Sequence, residues 1–203
     1  RILLSIASYL VRTYESLNTH LEIIEGKKLM KELETAESIQ RKILPKHFPK
    51  YEHLKLAAVS MPAKTVGGDF YDLIQISKEK AGLVIADVSG KGVSAALLMS
   101  NFQANIRALF SYVPTLEELA NILNAKVMSS AKGEKFITAF LGKYNIKKRE
   151  LKYINAGHNP PVIVRDGKLE LLKEGSLGLG MLDELPFVKM KREPIPLNTL
   201  LIC

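Results

Sequence analysis

The spacing of apolar residues changes near residue 45, and this change divides the chain into two regions. In residues 1–44 the apolar side chains recur alternately four and three residues apart, a heptad pattern that is typical of a coiled-coil helix: Leu3, Ala7, Leu10, Tyr14, Leu17, Leu21 and Ile24. Pro45 and Pro49 follow, and proline cannot continue a helix. The sequence therefore predicts a helical connector over 1–44 and a separate domain over 45–203.

The helical pattern is imperfect in its second half. Gly26 is expected to interrupt the helix, and the apolar stripe resumes one residue out of phase at Leu29, Leu33, Ala36 and Ile43, with Gln40 weakening it. Two interpretations follow. The region is either one amphipathic helix packed on its own domain, or a parallel dimer connector between an upstream sensor and the downstream domain, with Gly26 as a hinge. The dimer connector is favoured.

The second region predicts an α+β domain. Two consecutive helices are expected over 94–110 and 115–129, with Thr115 as the N-cap of the second. An Asp-Gly pair at 166–167 predicts a tight hairpin. Strands are expected at 54–60, 70–76, 81–87, 137–144, 151–156, 161–164, 169–172 and 197–203. The last of these is expected to be the start of a buried strand. Strands, two helices and further strands favour two sheets with helices on the outside.

Composition excludes several classes of function. A single cysteine, Cys203, rules out an intrachain disulfide and a multi-thiolate zinc site, and it suits a cytoplasmic protein. No run of about 18 apolar residues is present, so we expect no membrane span. The net charge of +8 is scattered and is not interleaved with aromatic residues, so we expect no nucleic-acid partner, although an acidic protein partner suits it. The chain lacks an initiator Met, which indicates a piece of a longer protein.

Two aspartates, Asp69 and Asp87, carry the strongest chemical signal. Asp69 follows a Gly-Gly turn, and Asp87 ends an apolar strand, so the two carboxylates can meet at one edge of a sheet. Carboxylates, carbonyls and water are the ligands that Mg²⁺ and Mn²⁺ prefer, and a pair of such ions can activate water against a phosphate ester. The alternative is that both are ordinary turn and cap residues, which are common next to glycine.

The segments around these aspartates resemble a known family. The matching segments are Pro62-Ala63, Val66 to Asp72, Asp87 to Met99, Phe136 to Phe140, Asn155 to Pro161, and Gly175 with Leu177-Gly178. In this order they resemble the bacterial serine phosphatases of the SpoIIE/RsbU type, within the metal-dependent protein phosphatase (PPM) family. The resemblance implies an αββα sandwich of two mostly antiparallel sheets flanked by helices, and hydrolysis of phosphoserine or phosphothreonine on a protein.

The resemblance also implies roles for individual residues. Asp69 and Asp87 are expected to bind Mn²⁺ or Mg²⁺, together with the backbone carbonyl of Val88. Asp72 is either an acceptor that holds metal-bound water or a surface carboxylate at a strand end, and Gly68 is a further candidate beside the metal. For His158, two roles are open, a general acid or a histidine that stabilises its turn, and the second is favoured.

Partners follow from the same resemblance. The implied substrate is a phosphorylated anti-sigma-factor antagonist in partner-switching signalling, and helices 94–110 and 115–129 correspond to a family switch. Residues 3–10 weakly resemble the last helix of a GAF-type sensor, which supports a homodimer through the N-terminal helix.

One departure from the family pattern affects activity. In the family, the strand near Leu200 runs into a Thr-Asp-Gly-like acidic segment, whereas this sequence ends at Cys203. We therefore expect half of the acidic site, weak metal binding and little turnover. The alternative function is a degenerate, non-catalytic module that binds a partner.

Overall fold

A computed structural model describes residues 2–45, 47–51, 53–61 and 65–203. The chain divides into two compact units, one ending at Ile39 and the other running from Gln40 to Cys203. Helix α1 spans Ile2–Ile43, so its last four residues belong to the second unit. No helix in the described part of the chain is both long enough and apolar enough to cross a membrane.

Helix α1 is continuous, and the expected interruption at Gly26 is wrong. A glycine inside a helix costs only about 1 kcal/mol relative to alanine, and the good helix formers on both sides of it outweigh that cost. A Cβ atom at Gly26 would meet nothing within 4 Å, so no close packing requires the glycine. The apolar seam is largely exposed along its described side chains, which include Leu10, Tyr14, Leu17, Leu21 and Ile24.

The described part of the second unit contains two β-sheets and two further helices, as the sequence predicts. The strands are β1 (Phe70–Ser77), β2 (Lys80–Val88), β3 (Ile137–Asn145), β4 (Glu150–Ala156), β5 (Val162–Arg165), β6 (Lys168–Leu171), β7 (Gly175–Ser176), β8 (Lys191–Pro194) and β9 (Leu200–Ile202). The larger sheet has the order β1-β2-β3-β4-β7, with β8 also paired to β4, and the smaller has the order β6-β5-β9. Among these nine strands of the described residues, every pairing is antiparallel except that of β4 with β7.

Helices α2 (Val93–Leu109) and α3 (Leu116–Ala131) cover one face of the larger sheet. Their buried side chains pack on alternate residues of β1 to β4, and Phe102 meets Phe70 edge to face at 6.2 Å between ring centroids. The predicted N-cap of α3 is confirmed, because the Thr115 hydroxyl accepts a hydrogen bond from the backbone N–H of Glu118 at 3.1 Å.

A smaller core lies between the two sheets, where Phe140 stacks on Tyr153 at 5.4 Å and both pack with Leu151, Ile163 and Leu172. The period-2 alternation of β2 sends Val84, Ala86 and Val88 toward the helices and Leu83 and Ile85 toward this second core. Asp87 therefore lies on the same face as Ile85, at the end of the gap between the sheets.

Several local predictions differ from the structure. The segment 54–60 is not a strand: Leu54 makes one isolated bridge to Tyr51, and the rest has no strand partner among the described residues. Its residues instead line a cavity of about 440 Å³ between the sheets. Strands β7 and β8 were not predicted, because β7 has two residues and β8 is charged. Strand β9 is also more exposed than expected, since Leu200 and Ile202 are about half exposed.

The hairpin at 166–167 is confirmed. Asp166 and Gly167 both have positive φ, 49° and 72°, as a tight two-residue turn between β5 and β6 requires.

Candidate metal centre

The structure brings Asp69 and Asp87 together. Phe70 pairs with Ala86 in the β1–β2 register, so the residue before Phe70 lies beside the residue after Ala86. Burial raises the pKa of the Asp87 carboxyl, and the charge of Asp69 and a hydrogen bond between the two side chains raise it further. Two carboxylates are thus held close enough to repel each other, an arrangement that a divalent cation would neutralise.

Gly68 places the Val88 carbonyl next to this pair. A Cβ atom at Gly68 would lie 3.0 Å from the Val88 carbonyl oxygen and 3.0 Å from its Cβ, so only glycine permits this approach. The carbonyl and both carboxylates are hard oxygen donors, and they fit Mg²⁺ or Mn²⁺ by their chemistry. Among the residues that the structure describes, no cluster of three or more His, Cys, Asp or Glu side chains is placed to hold a metal ion. Metal binding by this set stays a prediction.

Gln40 holds the loop that leads to Asp69. Its side-chain N–H donates to the Gly67 carbonyl at 2.8 Å, and its side-chain oxygen accepts from the Gly67 N–H at 3.0 Å. The backbone N–H and carbonyl of one residue, Gly67, are therefore both hydrogen-bonded by a single side chain. The sequence singled out Gln40 only as a weak point in an apolar stripe, and that polar interruption is the signal that could have identified this contact.

His158 lies near the carboxylates. Its Nδ1 is 3.0 Å from the hydroxyl of Thr138, and its backbone N–H donates to the Asn155 side-chain oxygen at 2.8 Å. Burial lowers the pKa of His158, and the negative charge of Asp69 opposes that shift. These contacts fix the turn and also hold the ring beside the acidic pair, so neither predicted role of His158 is eliminated.

Thr138 and Asn155 were not among the predicted site residues. Thr138 pairs directly with Asp87 across β2 and β3, and its hydroxyl lies 3.5 Å from the Asp87 carbonyl oxygen. Asn155 is anchored by donating to the Leu172 carbonyl at 3.1 Å. The alternation of side chains along each strand could have identified both residues. Thr138 lies on the same face of its strand as Phe140, and Asn155 on the same face as Tyr153, both of the core between the sheets.

Asp72 forms a buried ion pair. It is buried, so the surface alternative is wrong, and it accepts two hydrogen bonds from Arg107 of α2, at 2.7 Å from Nε and 2.9 Å from Nη2. It shares the helix-facing side of β1 with Phe70, whereas Asp87 lies on the opposite face of the sheet. A contact between Asp72 and metal-bound water stays a prediction.

The loop after Asp87 is tied to the start of β3. The Ser89 N–H donates to the Phe136 carbonyl at 2.9 Å, and the Ser89 hydroxyl accepts from the Phe136 N–H at 2.9 Å. The Lys135 ammonium lies 3.4 Å from the Ser89 carbonyl oxygen. A cation therefore lies beside the loop of the acidic pair, where it could interact with a phosphate group.

Comparison with known proteins agrees with this architecture. The family model for stage II sporulation protein E (SpoIIE) matches residues 77–203, more than half of the chain. Phosphoserine phosphatase RsbU of Bacillus subtilis is 36% identical over 129 residues, which cover 64% of this chain and 38% of RsbU. Phosphoserine phosphatase RsbP of the same organism is 29% identical over 163 residues, covering 77% of this chain and 40% of RsbP. The chain thus spans two fifths or less of these curated relatives.

Solved structures share the fold. The RsbU and RsbW domains of a Mycobacterium tuberculosis protein superpose with a TM-score of 0.59 at 26% identity, covering 70% of this chain and 40% of that one. The SiaA PP2C domain of Pseudomonas aeruginosa gives a TM-score of 0.64 at 22% identity, covering 84% and 68%. The chain therefore belongs to the SpoIIE family and carries a SpoIIE/RsbU-type domain of the PPM phosphatase fold.

Proposed function

We propose that residues 40–203 contribute the catalytic carboxylates of a Mn²⁺- or Mg²⁺-dependent phosphatase that acts on phosphoserine or phosphothreonine in a regulatory protein. The observation that carries this proposal is the Asp69–Asp87 pair at the edge of the sandwich, with the Val88 carbonyl beside it. The relatives RsbU and RsbP, both named phosphoserine phosphatases, support the reaction class. By likeness to them, the substrate is a phosphorylated anti-sigma-factor antagonist.

Individual residues of this chain would have separate roles in the reaction. Asp69, Asp87 and the Val88 carbonyl hold the cations, which when bound polarise the phosphate and activate water. Burial favours the neutral form of His158. If the Thr138 hydroxyl donates to Nδ1, the proton of the neutral ring lies on Nε2, where it can form a hydrogen bond to a phosphate or serine oxygen; transfer of a proton to the leaving serine oxygen requires the protonated ring.

The test measures metal binding and turnover together. Wild type and Asp87→Asn are titrated with Mn²⁺ by calorimetry and assayed on a phosphoserine peptide, and Asp166→Asn serves as the matched control. Asp166 has the same chemistry but lies in the β5–β6 turn, where its left-handed backbone also suits asparagine. We expect low but measurable Mn²⁺-dependent turnover in the wild type, which Asp87→Asn should abolish and the control should retain. Turnover that survives Asp87→Asn would contradict the proposal.

A non-catalytic module is the second candidate. It is favoured by one observation, that no third metal-ligating side chain joins the two carboxylates among the described residues. For the same reason we expect Mn²⁺ to bind weakly to this chain. Measurable Mn²⁺ binding without turnover on any phosphoserine peptide would support the module over the enzyme.

We also propose a homodimer through helix α1, supported by its exposed apolar seam. Light scattering of the chain should give the dimer mass, and Leu17→Glu on the seam should give the monomer mass. Ser16→Glu adds the same charge to an exposed neighbouring position and should leave the dimer intact. A monomeric wild type at high concentration would exclude the dimer.

A further inference from the structure

A second concave site lies at the end of the larger sheet away from Asp87. It is a cavity of about 470 Å³ bounded by β2, β3, β4, β8 and the start of α3. Lys80 lines it at the beginning of β2, and Asp87 is seven residues further along that strand. At about 3.3 Å per residue the two positions are about 23 Å apart, so the cavity is separate from the carboxylate pair.

A row of cations forms one wall of this cavity. Lys143 of β3 lies directly opposite Lys152 of β4, and Lys152 lies directly opposite Arg192 of β8. All three share the face of the sheet that carries the helices, beyond the point where α3 begins, because Lys143 alternates with buried Leu141 and Lys152 with buried Ile154. Like charges directly opposite each other on antiparallel strands repel.

Counter-charges are scarce around the row. Five basic side chains line the cavity (Lys80, Lys143, Lys148, Lys152 and Arg192) against two acidic ones (Glu117 and Glu150), so its formal charge is +3. Among the ion pairs that the described residues form, none involves these five cations. The row therefore costs free energy in the unliganded protein and would be stabilised by an anion.

Lys143 is held in place as the inner member of the row. It is half-buried, donates to the Val113 carbonyl at 2.8 Å, and lies 5.6 Å from the centre of the Phe110 ring. Burial lowers the pKa of Lys143, and the charges of Lys80 and Lys152 lower it further, against the opposing effect of Glu117. Lys152 and Arg192 form no side-chain hydrogen bond or ion pair among the described residues, so their donors can serve a ligand.

We propose that this cavity binds a small molecule that carries two or more adjacent phosphate groups. Its volume falls within the range of about 300–1,000 Å³ for small-molecule sites, and its concave shape suits a compact ligand better than an extended peptide. The planar guanidinium of Arg192 offers the paired donors that match phosphate oxygens. This site goes beyond the proposed phosphatase reaction.

The experiment uses pyrophosphate and tripolyphosphate as probes, titrated into the intact chain by calorimetry. The test variant is the double substitution Lys152→Gln with Arg192→Gln. The control is Lys168→Gln with Lys173→Gln, which removes the same charge from exposed positions outside the cavity. We expect tripolyphosphate to bind wild type and control alike, and at least tenfold more weakly to the test variant. Inorganic phosphate should bind more weakly than either probe.

Thermal denaturation shows whether the test variant is folded, so that a loss of tripolyphosphate binding is not mistaken for a folding defect. Without ligand, the test variant should melt at the same temperature as wild type or higher, because like charges have been removed. With tripolyphosphate, the melting temperature of wild type and control should rise, and that of the test variant should not. If the test and control variants bound tripolyphosphate equally, binding would depend on net charge alone, and the proposal would be overturned. Tighter binding of a polyglutamate peptide than of tripolyphosphate would overturn it too, in favour of an acidic protein partner.

Discussion

The buried ion pair between Asp72 and Arg107 gives the sharpest prediction about stability. The Asp72 carboxylate is fully buried, and Arg107 supplies two hydrogen bonds to it while remaining 49% exposed. Removing one partner of a buried pair costs about 3–5 kcal/mol, because the other charge is left without compensation. Since Arg107 is half exposed and water could reach Asp72 once it is removed, we expect Arg107→Ala to cost about 2 kcal/mol, less than the full cost for a buried pair. For a chain of this length that corresponds to a fall in Tm of about 4–8 °C.

The assay is chemical denaturation of the wild type, Arg107→Ala, Asp72→Asn and the double variant. The double variant should be more stable than the sum of the single losses predicts, because the second substitution removes the uncompensated charge. Lys126→Ala, at an exposed position of α3 with no ion pair among the described residues, should change stability by less than about 0.5 kcal/mol. A cost below about 0.5 kcal/mol for Arg107→Ala, or strictly additive losses, would refute this account of the pair.

The same variants decide what Asp72 does for the metal. If the only role of Asp72 is to form the ion pair, Asp72→Asn and Arg107→Ala should both change the Mn²⁺ affinity by a similarly small amount. If Asp72 also holds metal-bound water, Asp72→Asn should weaken Mn²⁺ binding several-fold more than Arg107→Ala does. Calorimetric titration with Mn²⁺ separates the two cases.

Three further predictions concern the acidic pair and the loop before it. Gly68→Ala should weaken Mn²⁺ binding at least tenfold because its Cβ would displace the loop, whereas Gly26→Ala should leave binding unchanged and stabilise the helix by up to about 1 kcal/mol. Because the folded protein raises the pKa of Asp87, stability falls as pH rises through that pKa and Asp87 ionises. Asp69→Asn removes part of the repulsion between the two carboxylates and should therefore raise the metal-free Tm at pH 7, and this gain should shrink as acid protonates Asp87. Gln40→Leu should increase amide hydrogen exchange in the loop before Asp69 and weaken Mn²⁺ binding, and unchanged exchange would show that the side chain is dispensable.

Local patterns were sufficient to predict most elements of the fold. The heptad spacing predicted a helix that ends before Pro45, and strand alternation predicted β1 to β4 to within one or two residues. Thr115 and the Asp166-Gly167 turn were predictable because capping and tight turns depend on neighbours in the sequence.

Tertiary context explains the failures. The apolar run at 54–60 has strand-like composition, but a strand also needs a hydrogen-bonding partner, and pairing is a long-range property. Strand β8 is the converse case, a charged segment that becomes a strand because β4 offers it an edge.

The candidate site shows the same limit. The carboxylates Asp69 and Asp87 could be identified from glycine-rich turns and a buried strand, and their proximity follows from one short pairing. The partners of these groups are distant in sequence: Gln40 lies 27 residues from Gly67, and Arg107 lies 35 residues from Asp72. Contacts between residues so far apart in sequence leave no local pattern. The sequence alone therefore could not distinguish an ion-paired Asp72 from a surface carboxylate.

The Gln40 contact makes the loop before Asp69 sensitive to rotation of a helix about its own axis. Each residue of an α-helix advances its side chain by about 100°, so a shift of one residue in the last turn of α1 would move the Gln40 amide away from Gly67. Both hydrogen bonds would then break together, because one side chain supplies the donor and the acceptor. The placement of Asp69 therefore depends on helical phase, a quantity that can change without any change in the length or helicity of α1.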